Sequence, residues 1–113
     1  MEKELNKRDY HTVCFDIDGV VTVETSGHDY ENRTPNCKNI KIIHNIYKRR
    51  SRFRVTFHTS RYGCDKEITE QWFKKYNIPF DEIIYDKPKY DWFVDDKAIN
   101  VNDLEKYFGW EMP

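Results

Sequence analysis

Two acid pairs, each following a short apolar run, are the residues of this 113-residue chain best equipped for chemistry. Asp16-Ile17-Asp18-Gly19 follows Val13-Cys14-Phe15, and Asp95-Asp96 follows Trp92-Phe93-Val94. Carboxylates gathered at one place repel one another unless a cation holds them. All-oxygen ligation at neutral pH suits Mg²⁺, which takes a few carboxylates and fills its shell with water and substrate phosphate. Asp16, Asp18, Asp95 and Asp96 are therefore candidate metal ligands. One Asp-Asp after a strand marks no more than an exposed turn, but two acid pairs in the same setting point to binding.

Two further features suit a phosphoryl group. Thr59-Ser60-Arg61 directly follows the run Phe53–His58, and a hydroxyl with backbone amides at a strand-to-helix turn can hold phosphate oxygens. Taken alone that signal is weak, because Ser and Thr are common in turns. Lys87 precedes Pro88 shortly before the acidic pair. Its ammonium can balance the acids and bind a transferring phosphoryl group; Lys89 is the competing candidate.

These residues need elements to position them. His11–Phe15 reads as a buried strand ending at Asp16, and Cys14 as a small buried residue rather than a nucleophile. Residues 19–35 read as a loop. Ile40, Ile43, Ile46 and Tyr47 recur at helical spacing, which predicts a helix over 36–50 with a basic last turn. Phe53–His58 is a second strand. A helix capped by Asp65 carries Ile68, Trp72, Phe73 and Tyr76 on one face, with Pro79 beyond its end. Residues 82–85 form a third strand, Tyr90–Val94 a fourth, and 102–108 a last helix with Asn102 as its cap and Leu104, Tyr107 and Phe108 as its packing stripe. Repeated strand–helix–strand units imply right-handed crossovers and a mostly parallel sheet. Ligands of such sheets sit at the carboxyl ends of the strands, where Asp16, Thr59 and Asp95-Asp96 fall. His58, one residue before Thr59, points to the opposite face, in a core or helix-facing role; Trp110 reads as core packing before subunit interface.

Composition sets outer limits. The chain fits one domain over 1–113, with 1–9 a charged lead-in. It is 38% hydrophobic and 35% charged, with a formal net charge of -1. That balance argues against a nucleic-acid coat protein, which needs a strong basic excess. The basic run Lys48-Arg49-Arg50-Ser51-Arg52-Phe53-Arg54 reads as a solvated helix end. Three cysteines without a CxxC pair suggest reduced, cytoplasmic thiols, and no run is apolar enough for a membrane helix.

Phe15-Asp16-Ile17-Asp18-Gly19-Val20-Val21-Thr22 resembles the first motif of the haloacid dehalogenase superfamily, DxDGxxT. Thr59, Lys87 and Asp95-Asp96 fall in order where its second, third and fourth motifs lie. The resemblance implies a Rossmann-like three-layer sandwich with a mostly parallel sheet. It implies that Asp16 is a nucleophile forming an aspartyl-phosphate, and that Asp18 protonates the leaving oxygen and then activates water. Mg²⁺ would be held by Asp16, the Asp18 carbonyl and Asp95-Asp96, with Thr59, Ser60 and Lys87 on the phosphoryl group. An acid at position 18 favours a phosphatase over a dehalogenase. Short gaps between motifs leave no room for a cap domain, so the open site would admit large substrates or be closed by a second subunit.

A closer resemblance, carried by Asp29-Tyr30-Glu31-Asn32-x-x-Pro35, Thr59-Ser60-Arg61 and residues 87–99, is to capless phosphatases of capsule and surface-polysaccharide biosynthesis. It implies a small phosphorylated metabolite, such as a sugar or polyol phosphate, as substrate. His28, Tyr30, Glu31, Asn32 and Arg61 are candidates to read its leaving group. Two rivals remain at this stage: a polynucleotide-end phosphatase, and a noncatalytic Mg²⁺- or phosphate-binding module.

Overall fold

A computed structural model describes residues 10–23 and 27–110. Strand β1 (His11–Phe15) pairs in parallel with β2 (Phe53–His58), from His11 beside Phe53 to Phe15 beside Phe57. β2 pairs in parallel with β3 (Glu82–Ile84), from Thr56 beside Glu82 to His58 beside Ile84. The order β1-β2-β3 puts β2 in the centre of an open three-stranded sheet. Helices α1 (Cys37–Tyr47), α2 (Lys66–Lys75) and α3 (Leu104–Phe108) complete a small α/β fold compatible with a Rossmann-like architecture. Among the described residues no helix is long and apolar enough to cross a membrane.

The core follows from the two periodicities. Val55 and Phe57 are fully buried, Phe15 nearly so, and Ile42, Ile43 and Ile46 of α1 are closed to solvent. Phe57 meets Phe73 of α2 edge-on at 4.9 Å between centroids, and Phe53 meets Phe108 of α3 at 6.4 Å. Trp110 meets Phe53 at a tilt and Phe108 edge-on, so it packs within the chain. Asn36 caps α1, its side-chain oxygen accepting from the Asn39 N–H at 3.1 Å.

Several expectations are corrected. Thr12 and Cys14 are exposed and Arg54, Thr56 and His58 are half-buried; these alternate with the core-facing residues, so the described helices cover one face of the sheet. The arrangement has two layers instead of three, because no described helix lies between β3 and Val101 to cover the other face. Cys14 is consequently exposed, β1 is buried only at Phe15, and His58 faces away from the helices. On α2 the buried residues are Thr69, Trp72 and Phe73, while Ile68 is exposed. The last helix starts later than expected: Asn100, not Asn102, caps a 3-10 turn at Val101–Asp103 that leads into α3. Tyr107 points outward, leaving Leu104 as the buried anchor. The fourth strand is absent: residues 88–100 carry no strand and all are exposed. A strand needs a ladder partner for its backbone groups, and this segment meets none.

Candidate functional site

The turn after β1 builds one side of the site. Ile17 turns back into the core, and its carbonyl accepts from the N–H groups of Val20, Val21 and Thr22 at 3.1, 3.0 and 3.4 Å. Gly19 sits at φ +89°, a conformation that side-chain-bearing residues rarely adopt. Its N–H donates to Thr22 Oγ1 at 3.1 Å. Helix α1 holds the turn from below, as Asn39 Nδ2 donates to the Val20 carbonyl at 2.8 Å and Asn36 N–H to that of Val21 at 2.7 Å. Asp16 and Asp18 are thus presented at the carboxyl end of β1. Asp16 Oδ1 accepts from the Ile17 N–H at 2.7 Å.

The second side comes from the chain beyond β2 and β3. Thr59 N–H donates to the Ile84 carbonyl, Lys87 N–H to the Thr59 carbonyl and Asp86 N–H to the Arg61 carbonyl, each at 2.9 Å. Asp86 takes a left-handed φ of 64°, which turns the chain out of β3 and across the end of the sheet. Lys87 Nζ then lies 3.8 Å from Asp16 Oδ1. Lys89 Nζ lies over the Tyr62 ring instead. Thr59 is buried and its Oγ1 accepts from the Arg61 N–H at 3.1 Å, which fixes the turn; Ser60 beside it is half-buried. Burial pushes the Asp16 carboxyl above its ordinary value, opposed chiefly by the positive charge of Lys87 and raised further by Asp18.

Arg61 is placed deep in the fold, with 1% of its surface exposed. Its Nε and Nη2 donate to the two Asp18 oxygens at 3.0 and 2.8 Å, and its Nη1 donates to Thr69 Oγ1 at 3.0 Å. Tyr30 and Arg33 of the flap lie against this pair. Tyr30 stacks under the Arg61 guanidinium at 4.0 Å, and Arg33 Nε comes within 3.4 Å of Asp18. The flap is pinned to α2 by Trp72 Nε1, which donates to the Arg33 carbonyl at 3.0 Å. Burial raises the Tyr30 phenol, assisted by the Asp18 charge. His28, Glu31 and Asn32 are exposed on the flap; His28 Nδ1 meets Tyr30 Oη at 3.1 Å, and Asn32 Nδ2 donates to both Asp29 oxygens.

Arg33 and Thr69 enter this network without having been singled out in the sequence. Arg33 occupies an unspecified position of the flap pattern, and Thr69 is an ordinary helical residue until Arg61 is placed beside it. Nothing in their local sequence distinguishes them.

The acidic pair is not gathered into the site. Asp95 is fully exposed, and its carboxyl is lowered first by the Lys97 N–H, which donates to Oδ1 at 2.8 Å. Among the described residues no three His, Cys, Asp or Glu side chains come together so as to hold a metal ion. As placed, the four acids do not fit a Mg²⁺ site.

No family model matches the chain, and no curated protein matches it. Solved structures do. An MCSG target from Vibrio cholerae superposes with a TM-score of 0.69 at 23% identity, over 87% of this chain and 96% of that one. A chain of the Pnkp1/Rnl/Hen1 complex gives 0.59 at 16% identity, over 92% of this chain and 35% of that one. A chain of the Pnkp1/Rnl/Hen1 RNA repair complex gives 0.58 at 16% identity, over 88% and 30%. At these identities the likeness shows a shared fold.

Proposed function

We propose that this chain is a phosphomonoester hydrolase of the haloacid dehalogenase-like superfamily, working through a phosphorylated Asp16. The observation that carries the reading is the convergence of Lys87 on Asp16 at 3.8 Å, across 71 residues of chain, next to the turns that hold Asp18 and Thr59. In the first step an Asp16 oxygen forms a bond to phosphorus while the ester P–O bond breaks, and the leaving oxygen takes a proton from Asp18. In the second, water attacks the same phosphorus, gives its proton to the Asp18 carboxylate, and the bond to Asp16 breaks. Lys87 lies where its charge would offset that on the phosphoryl oxygens. Arg61 fixes the direction of Asp18, and each Asp18 oxygen keeps a second lone pair for the proton.

Mg²⁺ belongs to the proposal on the motif resemblance alone, which assigns it to Asp16, Asp18, Asp95 and Asp96 although the last two lie apart from the first two; neutralising phosphoryl charge is the chemistry it would supply. The favoured substrate is a small phosphorylated metabolite such as a sugar or polyol phosphate, on the strength of the motif pattern in the flap and around Lys87. A second reading, a polynucleotide-end phosphatase, draws on the RNA repair complex among the similar structures. A cytoplasmic setting is proposed from the thiols alone.

Phosphate release from a panel of sugar phosphates, polyol phosphates and 3′- or 5′-phosphorylated oligonucleotides tests all of this, with Mg²⁺ and with EDTA. Release that needs Mg²⁺ and vanishes in Asp16→Asn supports the reaction, and the best substrate chooses between the readings. Silence across the panel overturns it and favours a binding module.

A further inference from the structure

Charge is divided along this chain far more sharply than its net value of -1 shows. Residues 32–64 hold nine Lys or Arg and no Asp or Glu, so the other 80 residues set ten cations against all twenty acids. Such asymmetry within one domain points to a polyanionic partner. Two of the nine, Arg33 and Arg61, are buried against Asp18. The other seven follow α1 and the turn that leads into β2.

Three of these seven are open to a ligand. Lys41 and Lys48 are exposed and seven residues apart, which sets them on one outward line of α1, about 10 Å from each other along its axis. Arg52, also exposed, follows in a turn fixed by its backbone: the Arg52 and Phe53 N–H groups both donate to the Arg49 carbonyl, at 3.0 and 2.9 Å. Among the described residues none of these three cations pairs with an acid. Two others are engaged inside the fold, Lys38 on Glu105 at 2.7 Å and Arg50 on Asp81. The same end of the molecule carries flat aromatic surface. Arg49 lies over the Trp110 ring at 4.8 Å, Arg50 over Tyr47 at 3.9 Å and Arg54 over Tyr10 at 4.4 Å. A cavity of about 350 Å³ opens there between Arg49, Arg52, Phe53 and Trp110. It sits at the amino end of β2, opposite the edge that presents Asp16 and Thr59.

We propose that the outward face of α1 and the turn after it bind single-stranded nucleic acid, with Lys41, Lys48 and Arg52 on phosphates and one base in the cavity between Phe53 and Trp110. Cations that track a backbone, set beside ring faces on which a base can stack, are the combination that single strands require. An acidic protein would use the cations and leave the ring-walled cavity empty. So would a duplex, whose bases are already stacked on one another. The binding face goes beyond the phosphatase reading and does not depend on it, because none of these residues belongs to the site at Asp16.

Fluorescence anisotropy of a labelled, unphosphorylated oligouridylate of about twelve nucleotides tests this, in EDTA, across a salt series. Three phosphate contacts predict a slope of about -2 in log affinity against log salt, hence about a twentyfold loss between about 50 and about 200 mM. Lys41→Gln, Lys48→Gln and Arg52→Gln should each reduce that slope by about 0.7, and the three together should leave little salt dependence. All three side chains are exposed, so the variants should keep the urea midpoint of the unaltered chain. In a Trp92→Phe chain, which lacks the exposed indole, tryptophan emission should fall as the strand binds through stacking at Trp110. No binding at low salt would overturn the inference, and so would a triple variant that binds as the unaltered chain does. Equal affinity for a duplex of the same length, or for polyglutamate, would show attraction by charge alone and overturn it too. Unchanged emission at saturation would overturn the place given to the base. Phosphate release is scored separately: an active phosphatase that binds no strand sinks the inference alone, whereas a chain that binds the strand and hydrolyses nothing sinks the reaction alone.

Discussion

Replacing Asp18 with alanine should destabilise the fold as well as stop any acid–base chemistry, because the carboxylate neutralises a guanidinium that has almost no contact with solvent. Arg61 is 1% exposed, and its Asp18 partner side chain is 32% exposed. Exposed pairs contribute about 0.2–1 kcal/mol, and removing one partner of a fully buried pair costs about 3–5 kcal/mol. One buried and one partly open partner place Asp18→Ala near 2–3 kcal/mol. Arg61→Met keeps an apolar stem in the buried position and leaves Asp18 with Arg33 at 3.4 Å, so it should cost less, about 1–2 kcal/mol. The double variant should recover part of the loss, with a coupling of about 1.5–2 kcal/mol. Urea unfolding followed by circular dichroism is the assay. At a slope of about 1–1.5 kcal/mol/M, Asp18→Ala should lower the midpoint by about 2 M. Effects that add within about 0.5 kcal/mol would show the pair to be energetically idle and refute the reasoning.

The other expectations can be checked on the same protein. Asp16→Asn should reduce phosphate release by about 10³-fold or more with the urea midpoint little changed; turnover within about tenfold of the unaltered chain would remove Asp16 as nucleophile. Lys87 opposes the upward shift of the Asp16 carboxyl, so Lys87→Met should raise that pKa further in metal-free protein, read by carbon NMR of the labelled aspartates; an unchanged value would mean that the ammonium does not act on Asp16. Gly19→Ala should cost about 1–2 kcal/mol in urea unfolding, because φ +89° strains any L side chain there. Tyr85 has its phenol pushed up to about 12, first by burial and then by Glu70. The folded chain therefore holds that proton longer than the unfolded one, and stability should fall as pH rises from about 10 toward 12. A phenol absorbance titration should show Tyr85 ionising last, a signal that Tyr85→Phe removes, and uniform titration of all eight tyrosines would contradict the burial argument.

What could be read from the sequence was what depends on neighbours close along the chain. The strands His11–Phe15 and Phe53–His58 follow from local pattern and appear with the expected bounds, and the isoleucine stripe gives α1, which runs Cys37–Tyr47 within the expected 36–50. The turn Asp16–Gly19 was legible because a strand end, two acids and a glycine are adjacent. The Arg61–Asp18 pair was not, since 43 residues separate the partners; the local sequence offers Arg61 as part of the Thr59-Ser60-Arg61 turn and as a candidate to read a leaving group. Strand pattern failed at Tyr90–Val94 for a related reason. Alternation and apolarity report that a segment can pair, while pairing itself requires a partner edge, and residues 88–100 carry no strand.

The two halves of the candidate site differ in how they are held, and that difference bears on mechanism. Asp16, Asp18, Thr59 and Lys87 are locked by backbone hydrogen bonds and by a buried guanidinium, so their mutual geometry is settled before any ligand arrives. Such preorganisation is what allows charged groups to stabilise a developing charge without rearranging during the reaction. Asp95 and Asp96 are held by nothing comparable. A segment that meets no neighbouring strand has no part in that preorganisation, so the phosphatase reading rests on the geometry of Asp16, Asp18, Thr59 and Lys87 and not on the acidic pair.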